Sequence, residues 1–189
     1  MKEGFRALAD LLKTYPSLCS DSHFLFVPGP QDPGPGPVLP RPPLPACLTE
    51  PLTKTLTKAH MCSNPVRVQY CSQEIVLFRE NLINKMCRHC IRFPARTDEL
   101  HVHLAKTLLS QGHLTPLPLH AAPVYWSHDH ALKLYPIPDV VVVADKYDAF
   151  SVQSTDCIVF NPGSFPKSNF SFKVYMPAQK KIENCEISS

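Results

Sequence analysis

The most strongly hydrophobic stretch of the chain is residues 140–144, four valines followed by an alanine. A β-branched run without polar alternation is typical of a strand that is buried on both faces. We therefore predict the central strand of a sheet at this position. Shorter apolar or alternating runs predict further strands at residues 24–27, 66–71, 74–78 and 157–160, at 170–175, and weakly around Ile182.

Apolar residues at helical spacing predict three helices. The first opens the chain and ends at Tyr15-Pro16, and its core face is Phe5, Leu8, Leu11 and Leu12. The second spans residues 79–90, and its apolar side is Ile83, Met86, Cys87 and Cys90. The third runs from a Thr97-Asp98 cap to Ser110, and its core stripe is Leu100, Leu104 and Leu108. Residues 31–57 show no clear periodicity.

A proline loop follows the strand predicted at residues 24–27, which we expect to be buried. Nine of the 21 prolines lie between Pro28 and Pro45, so the excess of proline is local. Loops at the carboxyl ends of strands in α/β folds carry ligands and catalytic groups, but proline offers no side-chain donor or acceptor. The segment therefore has the position of an active-site loop without its chemistry, although an ordinary turn after a strand would also have this pattern.

Composition indicates one soluble domain. The chain has 189 residues, of which 44% are hydrophobic and 19% charged, and a net charge of +3 is too small to identify a nucleic-acid binder. We expect the eight cysteines to be free thiols in a reducing, intracellular setting. No apolar run reaches the length of a membrane span.

Three clusters resemble metal sites but lack ligands. Cys87 and Cys90 would need two further ligands for zinc, and we expect them to be buried structural thiols. On a helix His101 and His103 point in different directions, so we expect surface histidines. His128 and His130 could share an ion only on an extended segment, and no third ligand is visible.

Two further segments have alternative interpretations. Residues 67–96 carry six basic and two acidic side chains, and could contact phosphate through Arg79, Lys85, Arg88, Arg92 and Arg96. A solvated helix face is the simpler interpretation of that pattern. Residues 39–45 could present a polyproline helix to an SH3-like groove, but a packed connector is favoured.

Several longer strings carry a more specific signal. Residues 24–33, 39–44, 81–88, 110–118, 144–148 and 161–165 closely resemble the DNA polymerase B-subunit family, and within it the C-terminal portion of the polymerase epsilon B subunits. The resemblance runs through nearly the whole chain. It implies an α/β fold, the C-terminal half of a calcineurin-like metallophosphoesterase β-sandwich flanked by helices, with a long proline-rich loop. Residues 1–189 would then be a partial domain, without the family's N-terminal helical domain, oligonucleotide-binding domain and first half of the phosphoesterase domain.

Active relatives of that fold hold two metal ions with Asp, Asn and His at strand ends. The resemblance places the family's Gly-Asn-His-Asp/Glu loop at Gly29, Pro30, Gln31 and Asp32, and its closing Gly-His-x-His near Asp145, Lys146 and Tyr147. His113 would be what is left of the family's isolated metal-site histidine. These vestigial positions lack the metal-binding asparagine and histidines, so we expect no catalytic residues, no metal and no cofactor.

The function implied by the resemblance is that of a non-catalytic accessory or scaffold subunit of the DNA polymerase epsilon complex in the nucleus, acting in chromosomal replication. It would bind the C-terminal region of the catalytic subunit, and meet other subunits, the replicative helicase and DNA through the complex, with no membrane. The alternative is an active metal-dependent phosphoesterase or nuclease with ligands drawn from Asp32, His113, His128 and His130.

Overall fold

The computed structural model describes residues 1–95, 99–154 and 156–187. The helices are α1 Lys2–Lys13, α2 Pro16–Asp21, α3 Ala46–Thr55, α4 Leu82–His89 and α5 Leu100–Gln111, with short 3-10 helices at Trp126–Leu132 and Pro177–Gln179. The strands are β1 Phe24–Phe26, β2 Ala59–Met61, β3 Val66–Tyr70, β4 Gln73–Phe78, β5 Val140–Val143, β6 Phe150–Ser154, β7 Cys157–Asn161, β8 Ser171–Met176 and β9 Lys181–Glu186.

A five-stranded mixed sheet in the order β3-β4-β5-β7-β6 forms the centre of the fold. Strands β4, β5 and β7 are parallel, whereas β3 and β6 pair antiparallel at the two edges. β5 is the middle strand and is buried on both faces, which confirms the prediction from its valine run. The α/β class is confirmed as well.

The two faces of this sheet are covered differently. Helices α4 and α5 contribute Ile83, Leu104 and Leu108 to a core that includes Val141 and Val159. On the opposite face, the β8–β9 hairpin packs Tyr175 and Ile182 against Val140, Ile158 and Phe160. The result is a helical layer, a sheet and a second, smaller β-layer.

The first part of the chain has a separate core of Ala9, Leu12, Leu52 and Leu56 between α1 and α3. Leu11 was predicted to face this core but is exposed, and Ala9 lies there in its place. A strand does form at the predicted position, as β1, but the prediction that it is buried was wrong. Among the described strands β1 pairs with β2 alone, and its residues are either half-buried, as Phe24 and Phe26 are, or exposed, as Leu25 is.

Two other expectations were corrected. Helix α3 forms within the stretch that showed no periodicity, and Cys90, predicted to be buried, is exposed at the end of α4. The predicted Thr97-Asp98 cap of α5 lies outside the described residues, whereas Gly112 ends that helix with φ +60°. All eight cysteines are free thiols, as predicted. Within the described ranges, no helix is both long and apolar enough to cross a membrane.

Candidate functional site at the ends of the parallel strands

The carboxyl ends of β4, β5 and β7 meet at one edge of the central sheet, because the three strands are parallel. In α/β folds this edge is where ligands bind. A pocket of about 340 Å³ opens there, and we call it the strand-end pocket. Its lining is Pro30, Gln31, Arg79, Asn81, Ala144, Asp145, Lys146, Gly163, Ser164, Phe165 and Pro166.

Asp145 follows β5 and is buried, and its oxygens are used by the backbone. Its Oδ2 accepts hydrogen bonds from the N–H groups of Leu82 at 2.6 Å and Ile83 at 3.0 Å. Its Oδ1 accepts from the N–H of Tyr147 at 3.0 Å. Asp145 therefore caps the N-terminus of α4, where a carboxylate also interacts favourably with the helix dipole.

Asn161 ends β7 and fixes the loop that follows β5. Its Oδ1 accepts from the N–H groups of Asp145 at 3.2 Å and Gly163 at 3.0 Å. Its Nδ2 donates to the carbonyl of Tyr147 at 2.9 Å and to that of Asp148 at 3.2 Å. Both ends of its amide are thus bonded within the chain, so Asn161 is a structural residue of this edge.

A buried ion pair supports the segment after β4. Arg41 Nη2 donates to Glu80 Oε2 at 2.8 Å, and both side chains are almost completely buried. Lys85 Nζ lies 3.4 Å from the other carboxylate oxygen of Glu80. Losing one partner of such a pair would leave an uncompensated buried charge, so the proline-rich segment is firmly connected to the sheet through Arg41.

Arg79 joins the proline loop to the end of β4. Its Nη1 donates to Asp32 Oδ2 at 2.7 Å and to the carbonyl of Val27 at 3.2 Å. The same oxygen of Asp32 accepts from the N–H of Gly29 at 2.7 Å. A guanidinium thus lies against the loop, and the Asp32 carboxylate is neutralised by it.

The positions predicted to be vestigial are only partly brought together. Pro30, Gln31, Asp145 and Lys146 line the strand-end pocket. Gly29 and Asp32 do not line it, but Asp32 accepts hydrogen bonds from Gly29 and from Arg79, and Arg79 is a lining residue. Tyr147 turns into the main core. His113 is not among the pocket-lining residues, and its Nε2 lies 3.2 Å from Asp129 Oδ1 while its Nδ1 accepts from the N–H of Thr115 at 3.0 Å.

The donor set of this edge does not fit the two metal ions of calcineurin-like enzymes. Asp32 is paired with Arg79 and Asp145 with three backbone N–H groups, and proline offers no ligand. Among the described residues no group of three or more His, Cys, Asp and Glu side chains could hold a metal ion. The residues named for the enzyme alternative, Asp32, His113, His128 and His130, do not form such a group.

The histidine pairs lie apart from the pocket. His128 and His130 are on the 3-10 helix, with ring centroids 6.2 Å apart. His101 and His103 were expected on the surface but are half-buried, and the ring of His101 lies 5.5 Å from that of Phe150 because α5 packs across β6. None of these rings lines the strand-end pocket.

The predicted phosphate-contact face is not a continuous basic surface. Arg79 is paired with Asp32, and Lys85 lies beside Glu80. Arg88 and Arg92 are exposed and have no ion pair within the described part of the chain. Arg96 lies outside the described residues.

Residues 39–45 are packed in part, since Leu44 is buried as well as Leu39 and Arg41, whereas Pro42, Pro43 and Pro45 are exposed. Leu39 and Arg41 are buried and bridge to Val124 and Asn64 respectively. Asn64 in turn accepts from the N–H of Arg79 and donates to its carbonyl. Sequence reasoning missed Arg41, Asn64 and Glu80, because a buried polar residue in an irregular segment leaves no periodic signal. Asn161 could have been found, since it directly follows a buried apolar run.

The comparisons with known proteins agree with the resemblance. The sequence model of the family described as the B subunit of DNA polymerase alpha/epsilon matches residues 1–152. DNA polymerase epsilon subunit 2 of Homo sapiens is 51% identical over 187 residues, which are 99% of this chain and 36% of the human protein. The corresponding protein of Mus musculus is 50% identical with the same coverage. The DNA polymerase epsilon B subunit of Saccharomyces cerevisiae is 33% identical over 229 residues, covering 98% of this chain and 33% of the yeast protein.

The chain thus spans about a third of the length of these relatives. A solved structure titled "Structural and Functional Characterization of a Novel Archaeal Phosphodiesterase" has a TM-score of 0.47 and 8% sequence identity, covering 97% of this chain and 91% of its own. A likeness at that level carries no argument about function. The family match and the identity across the whole chain show that this chain belongs to the B-subunit family of DNA polymerases alpha and epsilon.

Proposed function

We propose that this chain acts as part of a non-catalytic accessory subunit of the DNA polymerase epsilon complex, in which a phosphoesterase-like domain serves as a scaffold for chromosomal replication. The observation that carries the proposal is the state of the carboxylates at the strand ends. Asp32 pairs with Arg79, Glu80 with Arg41, and Asp145 accepts from three backbone N–H groups. Each is committed to holding the fold, and none is left to bind a metal.

The architecture supports the domain assignment within this proposal. A central mixed sheet carries helices on one face and the β8–β9 hairpin on the other, so two β-layers are present. In the proposed domain, residues 1–189 correspond to the C-terminal part of a calcineurin-like β-sandwich whose vestigial site is the strand-end pocket. Lys146 is exposed there and places a positive charge where an active enzyme would hold cations.

The proposed partners follow from the names of the relatives, which are subunits of DNA polymerase epsilon. The chain binds the C-terminal region of the catalytic subunit, and through the assembled complex it meets the other subunits, the replicative helicase and DNA. Its place is the nucleus. Of the basic side chains first considered for direct phosphate contact, Arg88 and Arg92 are the described ones without an ion pair.

Co-purification tests this proposal. The chain is co-expressed with the affinity-tagged C-terminal region of the polymerase epsilon catalytic subunit, and the eluate is analysed by size-exclusion chromatography with light scattering. A one-to-one complex is expected. A chain that is folded and monodisperse but elutes separately from that region would overturn the assignment.

A further inference from the structure

A groove of about 590 Å³ runs between α4 and α5, on the helical side of the central sheet, and we call it the α4–α5 groove. Its apolar lining includes Ile83 and Met86 from α4, Leu104 from α5, and Leu117 from the segment that follows. Flexible, polarisable side chains such as Met86 and the neighbouring Cys87 can adapt to different apolar partners. The groove is therefore suited to receive apolar side chains.

The basic side chains among the described residues that line this groove are one arginine and two histidines. Arg92, His89 and His103 line it, and no carboxylate lines it among the described residues. Arg88 is exposed on α4 and has no ion pair within the described part of the chain. Of the other described basic residues between positions 67 and 96, Arg67 pairs with Glu74, Arg79 pairs with Asp32, and Lys85 lies 3.4 Å from Glu80. Within residues 67–95, the two basic side chains without an ion pair are thus Arg92, which lines the groove, and Arg88, which lies between the groove-lining Cys87 and His89.

Exposed apolar side chains adjoin the groove. Ile91 is fully exposed and Phe93 is half-exposed, and both lie in the loop that leaves α4. Single exposed apolar residues are ordinary, but two beside an apolar concavity enlarge a contiguous apolar surface. Such surfaces with a charged rim are typical of protein-binding sites.

We propose that the α4–α5 groove binds an acidic amphipathic helix of another protein chain. The apolar face of such a helix, with anchors at i, i+3, i+4 and i+7, fills the groove, and its flanking carboxylates pair with Arg88 and Arg92. DNA phosphates could pair with the same two arginines but would leave the apolar lining exposed to water. The chemistry of the groove therefore favours a protein helix over nucleic acid.

This inference rests on the proposed function only for the source of the helix, which is another chain of the polymerase complex. The groove itself is tested without that assumption. The folded full chain is used to select from a display library of random peptides of about 16 residues, or roughly four helical turns. Acidic peptides with apolar residues at helical spacing are expected to be enriched.

Variants connect the selected peptides to the groove. Arg92→Glu is expected to lower the affinity for a selected peptide about tenfold, and Met86→Glu to lower it at least as much. Each substitution places a negative charge, at the rim or in the lining, against the acidic peptide. Lys106→Glu is the matched control, since Lys106 is exposed on α5 away from the groove, and it is expected to change the affinity by less than about twofold. A peptide in which lysine replaces the glutamates should bind the Arg92→Glu chain more tightly than it binds the wild-type chain. Circular dichroism verifies that each variant is folded.

Two results with peptides would overturn the inference: no peptide is enriched, or the groove variants bind the enriched peptides as tightly as the wild type does. A third is binding of a single-stranded DNA of about 20 nucleotides that is lost in Arg88→Glu and Arg92→Glu but kept in Met86→Glu. The last would assign the surface to nucleic acid. The two proposals fail separately. If the catalytic subunit region co-purifies equally with wild type, Arg92→Glu and Met86→Glu and no peptide is selected, the subunit assignment stands and the groove inference falls. If peptides are selected by the groove but the catalytic subunit region does not co-purify, the groove inference stands and the subunit assignment falls.

Discussion

The guanidinium of Arg79 lies directly against the backbone of Gly29, so that a Cβ added at Gly29 would come within 2.6 Å of Arg79 Cζ. Real Cβ atoms do not approach a carbon atom this closely, and one of the two groups would have to move. Arg79 is the flexible partner, but it can move only by giving up its contacts with Asp32 and Val27. This contact therefore couples the proline loop to the end of β4.

Gly29→Ala is expected to lower the free energy of unfolding by about 1 kcal/mol, since a partly exposed ion pair and a hydrogen bond are lost together. In an Arg79→Ala background the same substitution should cost almost nothing, because no guanidinium remains to be displaced. Urea unfolding of the four proteins in this double-mutant cycle measures both effects. Gly34→Ala is the control, because nothing lies within 4 Å of a Cβ at that position. Equal costs in both backgrounds would show that Gly29 and Arg79 are not coupled.

Asp145→Ala is expected to lower the free energy of unfolding by about 2–3 kcal/mol, because a buried helix cap is lost and three backbone N–H groups lose their acceptor. The control is Asp148→Ala, an exposed aspartate in the same loop, which should stay within about 0.5 kcal/mol of the wild type. Thermal and urea unfolding provide the measurement. A loss of the same size in both variants would contradict the capping role of Asp145.

The stability of the hairpin layer should depend on pH through Asp139. Its carboxylate accepts from the N–H of Glu74 and from Lys180 Nζ, each at 3.0 Å, and these bonds hold the pKa of Asp139 below its usual value. Because the pKa is lower in the folded than in the unfolded chain, the carboxylate stabilises the fold above about pH 4. That contribution is lost as the pH falls through the folded-state pKa.

Asp139→Asn is therefore expected to be less stable than the wild type at neutral pH and to lose less stability on acidification below about pH 5. Urea unfolding across this range gives both curves, with Asp148→Asn as the exposed control. Parallel curves for the wild type and Asp139→Asn would contradict the role assigned to Asp139.

The thiols should differ in reactivity according to their burial. Burial, with a smaller effect of Asp139, raises the pKa of Cys157 to about 12, so almost no reactive thiolate forms near neutral pH. Cys47, Cys71 and Cys90 are exposed. Iodoacetamide labelling of the native chain, followed by peptide mass spectrometry, should modify these three first and Cys157 only after unfolding. Early modification of Cys157 in the folded chain would show that β7 is not buried within the sheet.

The hydrophobic pattern predicted the central part of the fold well. The valine run correctly predicted where β5 lies, and the spacing of Leu104 and Leu108 correctly predicted the core face of α5. Both signals are strong because these elements are buried against neighbours on a regular period. Helix α3 was missed because prolines precede it and Pro51 lies inside it, so that local composition opposes a helix which packing of Leu52 stabilises.

The candidate site was harder to predict than the fold. The resemblance located Pro30, Gln31, Asp145 and Lys146, which the structure brings to one pocket. It did not indicate that Arg79 would neutralise Asp32, because a pairing between residues 47 positions apart depends on the fold. Buried polar partners such as Asn64 and Glu80 are set by tertiary geometry, and no local pattern of residues encodes them.

A Mn²⁺ titration of the folded chain by calorimetry, with hydrolysis of bis-p-nitrophenyl phosphate assayed on the same sample, tests most directly whether the strand-end pocket is structural. No saturable heat of binding and no hydrolysis above the buffer rate are expected, because Asp32, Glu80 and Asp145 are already bonded within the protein. Stoichiometric Mn²⁺ binding with hydrolysis that Asp32→Ala abolishes would contradict the scaffold role and establish an active phosphoesterase.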